Sequence, residues 1–325
     1  MKPFLETAHP KPSASGLSAP VGGGPSALVG NGATTLIGNG QCTLVGAGPG
    51  EPDLLTLKAV KAIQVATVLL VDDLVNDEIV RLYANPTARV VYVGKRGGCK
   101  STPQAFIEKL IITAAQAGER VVRLKGGDPF IFGRGGEEVE ALRAAGIRVD
   151  VINGITSGLA AVTSLGVPLT HRDAAHGVVF VTGHAKPGDA GVDWAALAAT
   201  ARQARLTLVI YMGVTGIEKI QRDLLAGLPP ETPAAVIQNA SLPTQRHVIT
   251  CLGELTQVVE REHFASPCVM VVGDVLKGAR AVMAPPVEAA VEPSGGSPLS
   301  PSLSSLIAPA VSPSVAFKLP QLKSA

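Results

Sequence analysis

The stretch Thr43-Leu44-Val45-Gly46-Ala47-Gly48-Pro49-Gly50-Glu51-Pro52-Asp53-Leu54-Leu55-Thr56-Leu57-Lys58-Ala59 decides the fold class. A β-type run ends in a glycine-rich turn, and a helix is predicted to start at Pro52 or Asp53. Glycine lets a ligand approach the backbone, because it has no Cβ and tolerates φ > 0. The spacing invites comparison with the dinucleotide fingerprint G-x-G-x-x-G. Gly46 and Gly48 fit, but Glu51 stands where the third glycine belongs. Pro49 removes an N–H donor from the turn, and the Glu51 carboxylate would repel a pyrophosphate. The loop therefore suits a ligand without phosphates.

Working outward, apolar β-type runs alternate with helical patterns. Strands are predicted at 42–46, 67–72, 88–93, 119–124 and 147–152, with helices at 53–65, 76–84, 102–117 and 137–145. Near-continuous Val/Leu/Ile runs separated by helices argue for a five-stranded parallel sheet covered on both faces. A second set of strands is predicted at 178–183, 206–212, 233–238, 246–251 and 268–273, with helices at 193–203, 215–226 and 253–262. Hairpin-like spacing near 233–251 makes this second sheet mixed. The expected organisation is two α/β domains, 41–154 and 155–280, meeting near Gly154. Residues 1–40 are rich in Gly, Pro, Ser and Ala, and residues 281–325 in Pro and Ser. Such compositions bury too little apolar surface to offset ordering entropy, so both ends are expected to be disordered.

Composition narrows the function. With 46% hydrophobic residues but only 3% aromatics, the core must be aliphatic. A net charge of +2 gives no whole-protein attraction for nucleic acid, so an acidic ligand must be held by local Lys and Arg. Cys42, Cys99, Cys251 and Cys268 form no C-x-x-C pair. They read as reduced cysteines of a cytoplasmic protein. No signal peptide and no apolar run long enough to span a membrane is seen. His171 and His176 are five apart, which matches no zinc signature, so no metal is expected. Ser157 and Ser164 lie in no nucleophile elbow.

Several residues can carry chemistry. Asp72 ends the second strand, at the carboxyl edge of the sheet where ligands bind in open α/β folds. It also occupies the place of a ribose-binding acid, which keeps a nucleotide-binding dehydrogenase as an alternative, opposed by Glu51. After the fourth strand, Gly126-Gly127 exposes backbone, and Asp128 adds a carboxylate that suits a ribose diol or an amino group. Ile131 and Phe132 supply an apolar wall. Arg134 and Glu137, three apart at a helix start, share a face. Lys95, Arg96, Arg172 and Arg246 add cations at loop ends.

Five segments together resemble the tetrapyrrole (precorrin) methyltransferases. They are the opening turn, Val71-Asp72-Asp73-Leu74-Val75, Gly94-Lys95-Arg96, Gly126 to Glu138, and Gly154-Ile155-Thr156-Ser157-Gly158 with Pro168-Leu169-Thr170-His171-Arg172. The resemblance runs from about residue 42 to about 278. It implies two α/β domains with an active-site trough between them, and a homodimer. It implies S-adenosylmethionine as co-substrate, which carries a sulfonium and an amine but no phosphate. The motifs look most like those of members that methylate uroporphyrinogen III at two pyrrole carbons, C-2 and C-7, to give precorrin-2 for siroheme or cobalamin synthesis. A methyltransferase for a later precorrin intermediate is the alternative within the family, and a non-catalytic binding module the one outside enzymes.

By this resemblance, Pro49, Gly126, Gly127, Asp128, Ile131, Phe132, Thr156, Ser157, Met212 and Ala240 hold the cofactor. Arg134, Glu137, Arg172, Tyr211 and Met212 face the tetrapyrrole, whose rim of carboxylates favours arginine. Asp72 is the expected base for the proton released after methyl attack, with Lys95 as proton donor or carboxylate anchor. The chain departs from the family at Val71, where tyrosine is frequent, and at Ala240, where glycine is commoner.

Overall fold

Alternating apolar and interrupting residues produce ten strands in two sheets. The computed structural model describes residues 40–94, 102–185 and 188–278. Lys95, Arg96, Cys99 and both terminal extensions lie outside the described residues. Strands β1 (Gln41–Gly46), β2 (Val68–Val71), β3 (Arg89–Tyr92), β4 (Arg120–Lys125) and β5 (Arg148–Ile152) form the first sheet. It is wholly parallel, in the order β3-β2-β4-β1-β5. Parallel strands need crossover connections, which α1 (Leu57–Val65), α2 (Asp77–Tyr83), α3 (Gln104–Gln116) and α4 (Gly135–Ala144) provide.

Period-two alternation sorts the strand residues onto two faces. Cys42, Leu44, Val68, Leu70 and Val121 pack under Ile107 and Ile111 of α3 and Val139 and Leu142 of α4. Val45, Leu69, Val71, Val122 and Leu124 pack with Ile63 of α1 and Ile79 of α2 on the opposite face. Burying each such aliphatic side chain contributes about 1.5–3 kcal/mol, so a core poor in aromatics suffices. The same alternation carries Arg123 and Lys125 onto the face of Val121, and Asp72 onto the face of Val68 and Leu70. Registration of Leu70 with Arg123 and Val71 with Leu124 then brings Asp72 beside Lys125 at the sheet's carboxyl edge.

The second half comprises α5 (Ser157–Thr163), β6 (Gly177–Thr182), α6 (Trp194–Ala204), β7 (Leu206–Tyr211), α7 (Ile217–Leu224), β8 (Pro233–Gln238), β9 (Arg246–Cys251), α8 (Leu255–Arg261) and β10 (Cys268–Val272). Its sheet has the order β6-β7-β10-β8-β9. Only β6 and β7 pair in parallel, so the sheet is mixed, as expected. Gly154 lies in the link between β5 and α5, where the chain passes from one sheet to the other.

Two local expectations are corrected. The first helix does not begin at Pro52 or Asp53: Pro52–Leu54 form a 3-10 turn, Leu55 and Thr56 are extended, and α1 starts at Leu57. Thr56 caps it, its side chain accepting from the Ala59 N–H at 3.1 Å. Helix α5 was not foreseen, because a glycine and two β-branched residues in seven give weak helical signal. Tertiary burial of Ala160, Ala161 and Val162 forms it nonetheless.

Candidate active site

A cavity of about 550 Å³ opens between the two sheets, at the carboxyl edge of the first. One side is built by three loops in backbone contact. Gly48 and Gly127 exchange hydrogen bonds, N–H to carbonyl, at 3.2 and 2.7 Å. A Cβ on Gly154 would stand 2.2 Å from the Gly127 carbonyl oxygen, so only glycine permits this approach. Asp128 fastens the junction. Its buried carboxylate accepts from the Phe130 N–H at 2.9 Å, the Asn153 side-chain amide at 3.2 Å and the Gly154 N–H at 3.1 Å. Unlike Gly126, Gly127 and Pro49, it does not reach the cavity wall.

The opposite wall comes from the second sheet. Thr156, Ser157, Tyr211, Met212, Ile237, Asn239, Ala240, Leu242 and Val269 line it, and none carries a formal charge. Ile131 and Phe132 close one end. This uncharged wall, with glycine backbone facing it, fits an adenosyl sulfonium and offers nothing to neutralise a pyrophosphate. Residues 49, 126, 127, 131, 132, 156, 157, 212 and 240 are thus gathered around one space.

The floor is charged, and sequence reasoning missed most of it. Asp72 is one-third exposed and faces Arg123 Nη2 at 3.3 Å and Lys125 Nζ at 3.9 Å. Behind them lies Glu138 of α4, wholly buried. It takes Arg123 Nε at 3.1 Å on Oε1 and Lys125 Nζ at 3.2 Å from Oε2. Gln104 of α3 donates to the same Oε1 at 3.1 Å. Two buried cations are therefore balanced by two carboxylates. Burial, and next the Arg123 guanidinium, pushes the Lys125 ammonium below the usual lysine range, against the pull of Glu138 and Asp72. The available signal was in β4 itself, where Arg123 and Lys125 interrupt an apolar run at the spacing of one strand face.

The predicted substrate residues separate. Arg134 lines the cavity, held bidentately by Glu137 at 3.0 and 2.6 Å. That hydrogen bonding raises the Arg134 guanidinium further above its ordinary value. Arg172 is exposed, in the link from α5 to β6, and is not part of the wall. Arg246 is turned to the Glu262 carbonyl at 2.8 Å and the Phe264 ring at 5.0 Å.

Tyr211 of β7 braces the start of α5. Its hydroxyl lies 2.7 Å from Thr156 Oγ1 and accepts from the Gly158 N–H at 2.9 Å. Burial pushes its pKa up. The Phe132 ring packs against it at 4.9 Å. Phe132, Arg134, Met212 and Asn239 all line the cavity with left-handed backbones, φ 53°, 57°, 53° and 52°. Such conformations cost about 1–3 kcal/mol each and collect where geometry serves a site.

Comparison with known proteins agrees with this geometry. The profile of the Tetrapyrrole (Corrin/Porphyrin) Methylases matches residues 41–256. A uroporphyrinogen-III C-methyltransferase of Pseudomonas aeruginosa is 51% identical over 71% of this chain and 92% of its own length. A siroheme synthase of Azotobacter vinelandii is 48% identical over 71% of the chain, but the match spans only 49% of that protein. Among solved structures, the uroporphyrin-III C-methyltransferase of Thermus thermophilus complexed with S-adenosylhomocysteine superposes with a TM-score of 0.62 at 39% identity, covering 74% of this chain and all of that one.

Proposed function

Because this chain belongs to the tetrapyrrole (corrin/porphyrin) methylases, we propose that it is an enzyme that methylates uroporphyrinogen III at two pyrrole carbons, C-2 and C-7, giving precorrin-2. The observation that carries this reading is one cavity with an uncharged adenosyl wall on one side and a carboxylate on the other. S-adenosylmethionine supplies an activated methyl group, so the protein needs chiefly to align the partners and exclude water.

The roles of individual residues follow from place. Pro49, Gly126, Gly127, Ile131, Phe132, Thr156, Ser157, Met212 and Ala240 hold the adenosyl group. Asp128 acts through the loop junction it ties. Arg134, oriented by Glu137, takes a substrate carboxylate, and Arg172 meets one beyond the cavity wall. When a pyrrole carbon takes the methyl, the ring becomes cationic and a proton must leave elsewhere on the macrocycle. Asp72 is the carboxylate placed to receive it. Lys95, outside the described residues, serves as proton donor or carboxylate anchor.

We also read the chain as a cytoplasmic homodimer. Phe106, Phe130 and Leu159 are exposed apolar side chains of the kind a partner covers. Cys42, Cys251 and Cys268 are unpaired, in keeping with a reducing compartment. No described helix is long and apolar enough to cross a membrane. Sedimentation at micromolar concentration tests the dimer.

The decisive experiment incubates the protein with S-adenosylmethionine and anaerobically generated uroporphyrinogen III. A product heavier by two CH2 units is expected, each methyl being gained with loss of one proton. Unchanged substrate, with a later precorrin methylated instead, would move the chain elsewhere in the family.

A further inference from the structure

The buried charges behind Asp72 have a consequence beyond that assignment, and it rests on the proposed methyl transfer. We propose that Lys125 is a positioning residue for this chemistry: held from behind by Glu138, its ammonium group acts with Arg123 to fix the Asp72 carboxylate at the cavity floor.

The placement follows from the fold. Residues 123 and 125 share the strand face that α3 and α4 cover, and Asp72 ends the neighbouring strand on the same face. Lys125 Nζ lies 3.2 Å from Glu138 Oε2 and 3.9 Å from Asp72 Oδ2. The charged groups facing Lys125 are Asp72 after β2, Arg123 on its own strand and Glu138 on α4. Cys42 on β1 faces Arg123 and Glu138, but burial pushes its thiol to about 12, so it stays neutral below that pH. Gln104 adds an uncharged donor to Glu138 Oε1, the oxygen to which Arg123 and Lys125 also hydrogen-bond. Two cations thus share two anions at the edge of the cavity, and both carboxylates favour the charged form of Lys125.

Loss of the Lys125 proton leaves Asp72 with one cationic neighbour and the group with a net negative charge. An inert buried salt-bridge network would cost stability when broken but would not tie turnover to lysine titration. The positioning role does tie them. Turnover must fall on the alkaline side with the titration of Lys125, below the ~10.4 of a free lysine. Glu138 is the anion that keeps Lys125 charged, so removing its charge must move that limb to lower pH.

The test is the pH profile of methyl transfer to uroporphyrinogen III at saturating S-adenosylmethionine, for wild type, Glu138→Gln and Lys125→Arg. Glu138→Gln should shift the alkaline limb down by about one pH unit or more. Lys125→Arg should abolish that limb, whatever its absolute rate, because arginine does not titrate below about pH 12. A wild-type profile without an alkaline limb, or a limb unmoved in both variants, overturns the proposal. Direct titration of the Lys125 amine by nitrogen-15 NMR gives an answer that does not depend on the substrate. A Lys125 titration at the free-lysine value, unmoved by Glu138→Gln, likewise overturns it. Failure of wild type to methylate uroporphyrinogen III, with Lys125 titrating as described, counts against the substrate and leaves the coupling standing.

Discussion

The Asp72 carboxylate lies 3.3 Å from the guanidinium of Arg123, so the acid at the tip of β2 meets the cavity as half of an ion pair. A lone strand-end carboxylate would swing freely in solvent. This one is held by Arg123 while it stays one-third exposed along the cavity lining. Asp72→Asn preserves the shape and removes the basicity. It should still bind S-adenosylhomocysteine by calorimetry while single-turnover methylation slows by roughly 10²–10⁴-fold. A variant that methylates at the wild-type rate would hand the proton to water or to the macrocycle.

Arg134 and Arg172 looked equivalent as sequence motifs, but only Arg134 lines the cavity. Arg134→Ala should lose turnover of uroporphyrinogen III with S-adenosylhomocysteine affinity retained. The loss scales with removal of one charge-assisted contact, roughly 2 kcal/mol or more if the contact is desolvated on binding. Arg172→Ala should lose less. Steady-state kinetics of both variants decide the order, and equal losses would place Arg172 on the substrate as firmly as Arg134.

Tyr211→Phe removes the hydroxyl that joins Thr156 to the Gly158 N–H. Denaturant unfolding should show a loss of about 1–3 kcal/mol, since a buried N–H is left without its acceptor. There is a pH signature as well. The folded tyrosine titrates above its ordinary value while the unfolded one loses its proton near 10, so between those points the folded state binds more protons. The stabilisation is complete below the ordinary value and falls as pH rises through the folded one. Wild type should therefore lose stability faster than Tyr211→Phe above about pH 10.

Gly154 and Gly136 provide a contrast in packing. A Cβ at Gly154 would press on the Gly127 carbonyl and Gly46 backbone, whereas one at Gly136, in α4, meets nothing within 4 Å. Gly154→Ala should cost about 1–3 kcal/mol or more and weaken S-adenosylhomocysteine binding, because backbone must shift where the three loops join. Gly136→Ala should be neutral or stabilise by up to about 1 kcal/mol through helix propensity. Thermal melts with and without S-adenosylhomocysteine read both effects.

The ten strands of the described residues, the parallel character of the first sheet and the poor fit of the opening loop to a phosphate were legible in the sequence. Those features are local: strand periodicity, crossover length and a glutamate in place of a glycine are written in neighbouring residues. The gathering of Gly126, Ile131, Thr156, Met212 and Ala240 was legible only through motifs, because residues up to 114 positions apart meet by sheet geometry. The charged floor required tertiary structure. Arg123 and Lys125 read as interruptions in an apolar strand, Glu138 as one more acid on a helix. Only strand register and the packing of α4 reveal that they neutralise one another behind Asp72. The same holds for α5, whose helix is stabilised by burial against the second sheet, and for Asp128, whose carboxylate finds two of its three donors on a loop 25 and 26 residues away. Local propensity is encoded in neighbouring residues, whereas burial and charge pairing depend on which distant segments the fold brings into contact.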